Sequence, residues 1–233
     1  MKRNILFASI AFLSASLNAA ESSPKDEITA AAKKLGAAPN YSWKQTVVVH
    51  NDTPFRPGPT DGKIEKDGFT LISTSFNDNT SQTLLKGEKG AVTNQDGAWQ
   101  SLAEVEQEEG FGRFRAIMAR NFKAPSVQAA EIVTAVKDLK KEGDAYAGEL
   151  SEDGAKALLS FGRGGGGATV SNAKASVKFW LKDGTLAKYE FKVKGTRDFN
   201  GNNQEIDRTT TVEIKDVGAT KVTAPEEAKK KLS

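Results

Sequence analysis

The chain of 233 residues contains no cysteine. That excludes disulfides, thiolate metal sites, a cysteine nucleophile and a lipid anchor carried on a cysteine. Histidine is nearly as scarce, since His50 is the only one. A Ser-His-acid triad would have to use it, and no Gly-x-Ser-x-Gly elbow occurs, so His50 reads as an ordinary strand-end residue. An excess of one charge is lacking too. Lys and Arg number 33 against 30 Asp and Glu, a formal +3, of which Lys2 and Arg3 supply two. Nothing in that balance points to nucleic acid. After the first residues there is no apolar run near the ~20 residues that a membrane-spanning helix needs.

What is present begins at Lys2 and Arg3. They precede an apolar run from Ile5 to Leu17, which ends in Asn18-Ala19-Ala20 before Glu21. A basic start, a short apolar middle and small residues are the layout of a secretory signal peptide. The sequence therefore predicts residues 1–20 as a signal peptide and 21–233 as one domain, exported to the periplasm or the cell exterior.

Ser23-Pro24-Lys25-Asp26 predicts a helix start, with Ser23 as cap, Pro24 in the first turn and Asp26 near the positive end of the dipole. Gly36 is placed to close that helix. Tyr41, Trp43, Val47 and Val49 alternate with polar residues, as a half-buried strand does. Short strands follow, joined by Asp-Gly turns: Lys63 to Glu65 with Phe69 to Phe76, then Ser81 to Leu85, Ala91 to Asn94 and Ala98 to Leu102. From Phe111 to Lys141 the period becomes helical, with a break at Ala124-Pro125. Asp144 to Leu150 reads as a strand, and Glu152 to Phe161 as a short helix. The tract Arg163 to Gly167 reads as a flexible loop, because it lacks the Gly-Lys-Ser/Thr ending of a phosphate loop.

The next hairpin poses a register problem. Ala173, Ala175, Val177, Phe179 and Leu181 make one apolar face, and Ala187, Tyr189, Phe191 and Val193 another. A two-residue Asp183-Gly184 turn would send these to opposite sides of the sheet. A three-residue Lys182-Asp183-Gly184 turn pairs Val177 with Tyr189 and Ala175 with Phe191 and keeps one apolar face, so it is the expected register. A last strand runs through Ile206, Thr210, Val212 and Ile214, and Ala224-Pro225 starts a lysine-rich helix. The order of helix, strands, helices and strands predicts an α+β fold: a curved antiparallel sheet, left open as a half-barrel, with helices on its concave face.

Signs of chemistry are few. Asp198-Phe199-Asn200-Gly201-Asn202 alternates oxygen ligands as a calcium loop does. Its glycine comes early, and Thr209 stands where a bidentate Glu belongs, so a turn fits better. Glu104, Glu106, Glu108 and Glu109 read as a solvated face. No metal or other cofactor is expected. The apolar pattern says more. Phe111, Phe114, Ile117, Met118 and Phe122 recur at helical spacing among Arg113, Arg115, Arg120 and Lys123. Such a helix fits packing on the sheet, a lid over an apolar cavity, or a basic membrane-facing surface. Trp43, Trp99 and Trp180 are equally open between packing and ligand contact.

Gly90 to Trp99 (GAVTNQDGAW), Tyr146 to Leu159 (YAGELSEDGAKALL), the hairpin Val177 to Val193, the strand Thr209 to Val217 and Ala224-Pro225-Glu226 together show a resemblance. In this order they resemble the extracytoplasmic lipoprotein-carrier superfamily, the LolA-like half-barrel proteins and their LppX-like relatives. The resemblance implies an unclosed β-barrel whose concave side, covered by helices, holds acyl chains or another apolar ligand. With the apolar pattern, it makes Trp43, Val47, Phe69, Leu71, Phe111, Phe114, Ile117, Met118, Val177, Phe179, Tyr189 and Phe191 the candidates for a cavity or its lid. The expected function is a non-catalytic periplasmic binding protein for a lipid or lipoprotein acyl chain, with an envelope protein as a further partner. The alternative is an envelope interaction module, such as a sensor, inhibitor or assembly factor, with the same fold and a filled core.

Overall fold

The structure, a computed structural model, describes residues 22–53, 56–76, 79–160, 169–199 and 201–232. The expected signal peptide and the glycine tract lie outside them. The first helix, α1 (Pro24–Ala37), starts as its sequence dictates: the Ser23 hydroxyl accepts from the Asp26 N–H at 3.2 Å. Gly36 does not end it. The helix runs to Ala37, and Gly36 lies against Ser126, where an added Cβ would come within 3.3 Å of the hydroxyl. A glycine expected at a helix end is thus used for close helix packing.

The alternating segments form β1 (Asn40–Val49), β2 (Thr60–Glu65), β3 (Thr70–Phe76), β4 (Asn79–Lys86), β5 (Lys89–Thr93) and β6 (Trp99–Ser101). Two short helices follow, α2 (Leu102–Glu106) and α3 (Phe111–Arg120), and then α4 (Pro125–Ala135). Leu102 opens α2 rather than ending a strand, because Ser101 and Glu104 make a reciprocal capping box. The helical stretch expected to reach Lys141 stops at Ala135. Val136 bridges to Leu150, and Lys140–Glu142 forms the edge strand β7 against β8 (Ala145–Glu149). Pairing with β8 outweighs the helical preference of these lysines. After α5 (Glu152–Ser160) come the long strands β9 (Thr169–Lys182), β10 (Thr185–Phe199) and β11 (Asn202–Lys215), and then α6 (Glu226–Lys230).

All eleven strands join one antiparallel sheet in the order β6-β5-β4-β3-β2-β1-β11-β10-β9-β8-β7. β1 joins the two halves: it pairs with β2 on one side and β11 on the other. The edges β6 and β7 do not meet, so the curved sheet stays an open half-barrel. On its concave face α1, α4 and α5 bury Ile28, Leu35, Ile132, Val133 and Leu159 against Val177, Phe179, Tyr189 and Val193. Further along the same face, α2 and α3 pack against Val92 of β5. Among the described helices only α6 lies on the outward face, where Ala228 and Leu232 cover Leu84 and Ala91.

The β9–β10 hairpin corrects the expected register. Thr185 pairs with Lys182, so the turn has two residues, Asp183 and Gly184, with φ of 52° and 67°. That is the doubly left-handed turn a tight hairpin prefers. Leu186 pairs with Leu181, and the next pair is Lys188 with Trp180, leaving Ala187 as an extra residue. This bulge restores the face: Tyr189 pairs with Phe179, Phe191 with Val177, and Val193 with Ala175. Leu186, and not Ala187, is the buried residue at the turn. One apolar face results, as expected, but from a bulge instead of a longer turn.

Candidate functional site

The floor of the concave face is built from inward positions of the strands. Trp43 is central. It pairs with Gly62 of β2, and the indole lies across that residue so closely that no Cβ could fit there. Tyr41 and Phe122 flank Trp43, and Phe122 is stacked on it with ring centroids 5.8 Å apart. Val47 lies two inward positions along β1, half-buried, opposite Thr210.

Tyrosine hydroxyls tie the helices to the floor. Tyr41 bonds the Ser126 hydroxyl at 3.3 Å, Tyr189 donates to the Gln128 side-chain Oε1 at 2.5 Å, and Tyr146 donates to Glu27. Burial pushes the Tyr41 phenol above its usual range and the Tyr189 phenol well above it, so both stay protonated. Val177, Phe179, Tyr189 and Phe191 are all buried beneath α1, α4 and α5.

The covering helix α3 is oriented against simple expectation. It buries its small residues, Gly112, Ala116 and Ala119, toward β5 and α2. Two arginines pin it there: Arg115 donates to the Thr93 carbonyl, and Arg120 to the Glu88 carbonyl at 3.0 Å. Phe114 and Ile117 are only half-buried, and Met118 is 40% exposed. The bulky apolar side chains therefore point away from the helix's own contact. The side chain of Phe111 lies outside the described set.

The glutamates between α2 and α3 are not simply a solvated face. Glu106 pairs with Arg120, and Glu108 pairs with Arg115 at 3.4 Å and accepts from Gln100. Glu104 pairs with Lys231 at 2.9 Å, and the Lys231 ammonium with the Ser101 cap pulls its carboxyl down to about 2. They are the counter-ions that set the pose of α3 and hold the C-terminal segment.

Phe69 and Leu71 leave the candidate set. They face outward, packed with Ala224, Ala228 and Leu232, because Leu71 pairs with Leu84 on the opposite face of β4. His50 also faces out, its Nε2 2.8 Å from the Thr209 hydroxyl. The Asp198 carboxylate accepts from the Gly201 N–H at 3.1 Å, as a turn residue does. Among the described residues no group of three or more His, Asp or Glu side chains comes together. Open depressions among the described residues include one of about 370 Å³ between α1 and α4, beside Ala32, Gly36 and Val127, and one of about 260 Å³ beside Lys44, Asp61, Leu71 and Lys215. Neither lies beneath the α3 residues.

One floor residue had no place among the sequence candidates. Arg208 points to the concave side from β11, between Val49 of β1 and Val193 of β10. Its signal is a break in the alternation Ile206, Thr210, Val212, Ile214, where a charge occupies an inward position.

The open sheet, the helices on its concave face and β1 at the junction of its halves can be compared with solved structures. The Mycobacterium tuberculosis lipoprotein LppX superposes with a TM-score of 0.50 at 10% identity, covering 86% of this chain and 97% of that one. The chain has an LppX-like fold. LprF from Mycobacterium bovis matches with a TM-score of 0.47 at 12% identity over 88% of this chain and 96% of its own. A DUF1329 family protein from Desulfovibrio piger matches with a TM-score of 0.34 at 11% identity over 85% and 96%. No protein-family model matches the chain, and a search of curated proteins finds no relative. The LppX-like resemblance seen in the sequence is therefore shown at the level of the fold.

Proposed function

We propose that this protein is an exported, non-catalytic carrier whose concave face, beside the open side of α3, takes a lipid acyl chain or a similar apolar ligand. The observation that carries the reading is the inverted pose of α3. A helix that served only to fill a core would bury Phe114, Ile117 and Met118 and leave its alanines outside. Here the alanines and two arginines hold the helix down, and Ile117 and Met118 are left partly exposed. Phe and Met are adaptable contacts for a flexible chain. Val47, half-buried, supplies open floor, with Trp43 beneath Phe122 next to it, and each methylene buried there contributes ~0.8 kcal/mol.

Val177, Phe179, Tyr189 and Phe191 support the site from beneath. They become ligand contacts only if α4 lifts and gives up the Tyr41 and Tyr189 hydrogen bonds. Export rests on the basic, apolar and small-residue order of the first twenty residues. An envelope protein that delivers or accepts the ligand is the natural partner of such a carrier.

Native mass spectrometry of the purified protein, followed by lipid extraction, tests the reading. The expected result is a co-purifying acyl lipid, and displacement of it by a fluorescent fatty acid. A protein free of lipid that also binds no acyl probe would instead be an interaction module with a filled core.

A further inference from the structure

Arg208 occupies a position that packing alone does not explain. Its side chain leaves β11 toward the concave face, with Val49 and Val193 across the ladder and Ile206 and Thr210 along its own strand. Its Nε is buried and meets no acceptor among the described residues. The inward positions of β1–β3 and β9–β11 hold no Asp or Glu. Their only other charge is Arg197, two inward positions along β10, whose Nη2 donates to Gln204 Oε1 at 2.7 Å. The carboxylates of these strands face out, and Asp207, next to Arg208, is shared there by Lys192 and Lys194. Burial first and Arg197 second draw the Arg208 guanidinium below its ordinary value, yet an arginine stays charged at any physiological pH. A guanidinium Nε–H withdrawn from water with no acceptor is costly to keep.

We propose that Arg208 is a headgroup site: it holds the carboxylate or phosphate of an anionic amphiphile whose acyl chain lies on the concave face. The inference rests on the carrier reading and narrows its ligand class. The planar guanidinium fork matches the oxygens of either group, and Arg197 adds positive potential from the same face. Val193 across the ladder is fully buried and the Nε is shielded from water, which strengthens a pairing made there.

The test compares palmitate, 1-palmitoyl lysophosphatidate and monopalmitin, each titrated into the purified protein by displacement of a fluorescent fatty acid. At least one of the two anions is expected to bind about tenfold or more tightly than the neutral ester, the worth of one hydrogen bond to a charged group. Whichever anion gains more distinguishes a carboxylate from a phosphate head. Arg208→Met is expected to keep the affinity for monopalmitin, lose the preference for the anion, and unfold at no lower temperature than the parent. Should Arg208→Met not fold, Arg208→Lys carries the test, with a preference reduced but present. Equal binding of anionic and neutral lipids by the parent, or a preference unchanged in these variants, overturns the headgroup site and leaves the carrier reading standing. Binding of none of the three lipids overturns the carrier reading, and the headgroup site with it.

Discussion

Phe122 stacks on Trp43, their ring planes 21° apart, and so ties the end of α3 to β1, the strand where the two halves of the sheet join. The contact is half a core contact and half a latch, since Phe122 is only partly buried. Phe122→Ala is expected to cost about 1–3 kcal/mol, less than the full range for a buried Phe. If α3 is a lid, the same change speeds uptake of a fluorescent fatty acid in stopped-flow mixing. Unchanged uptake would reduce Phe122 to packing.

The two sides of α3 should respond oppositely to substitution. Ala116 is 0% exposed, so Ala116→Leu overpacks the contact with α2 and β5 and costs about 1–3 kcal/mol. Met118→Glu places a charge on the exposed side and is expected to change stability by less than about 0.5 kcal/mol, while weakening the acyl probe severalfold. Chemical denaturation and probe titration on both variants check the pair. A large loss of stability in Met118→Glu would mean that this side is core.

The β9–β10 hairpin depends on Gly184 and on the bulge at Ala187. Gly184→Val forces a branched side chain to φ near 67° and is expected to cost about 1–2 kcal/mol. Asp183→Asn should be neutral or mildly stabilising, because Asn tolerates the left-handed region. Deletion of Ala187 removes the bulge and turns Leu186 or Tyr189 out of the core, so loss of cooperative unfolding by calorimetry is the expected outcome. A deletion variant that melts like the parent would show that the bulge is dispensable.

The Glu104–Lys231 pair gives the acid behaviour a direction. The folded-state pKa of Glu104 is lowered from 4.5 to about 2. A depressed carboxylate stabilises the fold fully above its unfolded value and loses that contribution as the pH falls from 4.5 toward about 2. The protection of amides around Leu232, taken relative to the intrinsic exchange rate at each pH, should therefore fall across this window. Glu104→Gln should remove the pH dependence there and leave exchange in α1 unchanged. The same acid response in Glu104→Gln would place the cause elsewhere.

Much of the architecture was legible in the sequence because it follows local periods. Alternation marked the strands around Trp43, Val177 and Tyr189, and the change of period marked α3 and α4. The acyl-site candidates were legible only as apolar residues. Phe69 and Phe114 look alike in sequence, yet one packs outward under α6 and the other belongs to α3 on the concave face. Arg208 carried a usable signal, a charge in phase with an apolar alternation, but its meaning depends on which neighbours stand across the ladder.

By itself, then, the sequence determined the α+β order, the antiparallel pairing, the missing cysteine chemistry and the cap that starts α1, since each depends on residues a few positions apart. Tertiary structure decided the rest. The bulge at Ala187 is a compromise between the tightest turn and the apolar face, and only the two strands together impose it. The pose of α3 comes from Arg115 and Arg120 reaching backbone carbonyls of a distant hairpin. The isolation of Arg208 from carboxylates comes from the strand register, which sends Asp207 outward and Arg208 inward. These are relations between one strand or helix and another, which no period or propensity within a single segment can register.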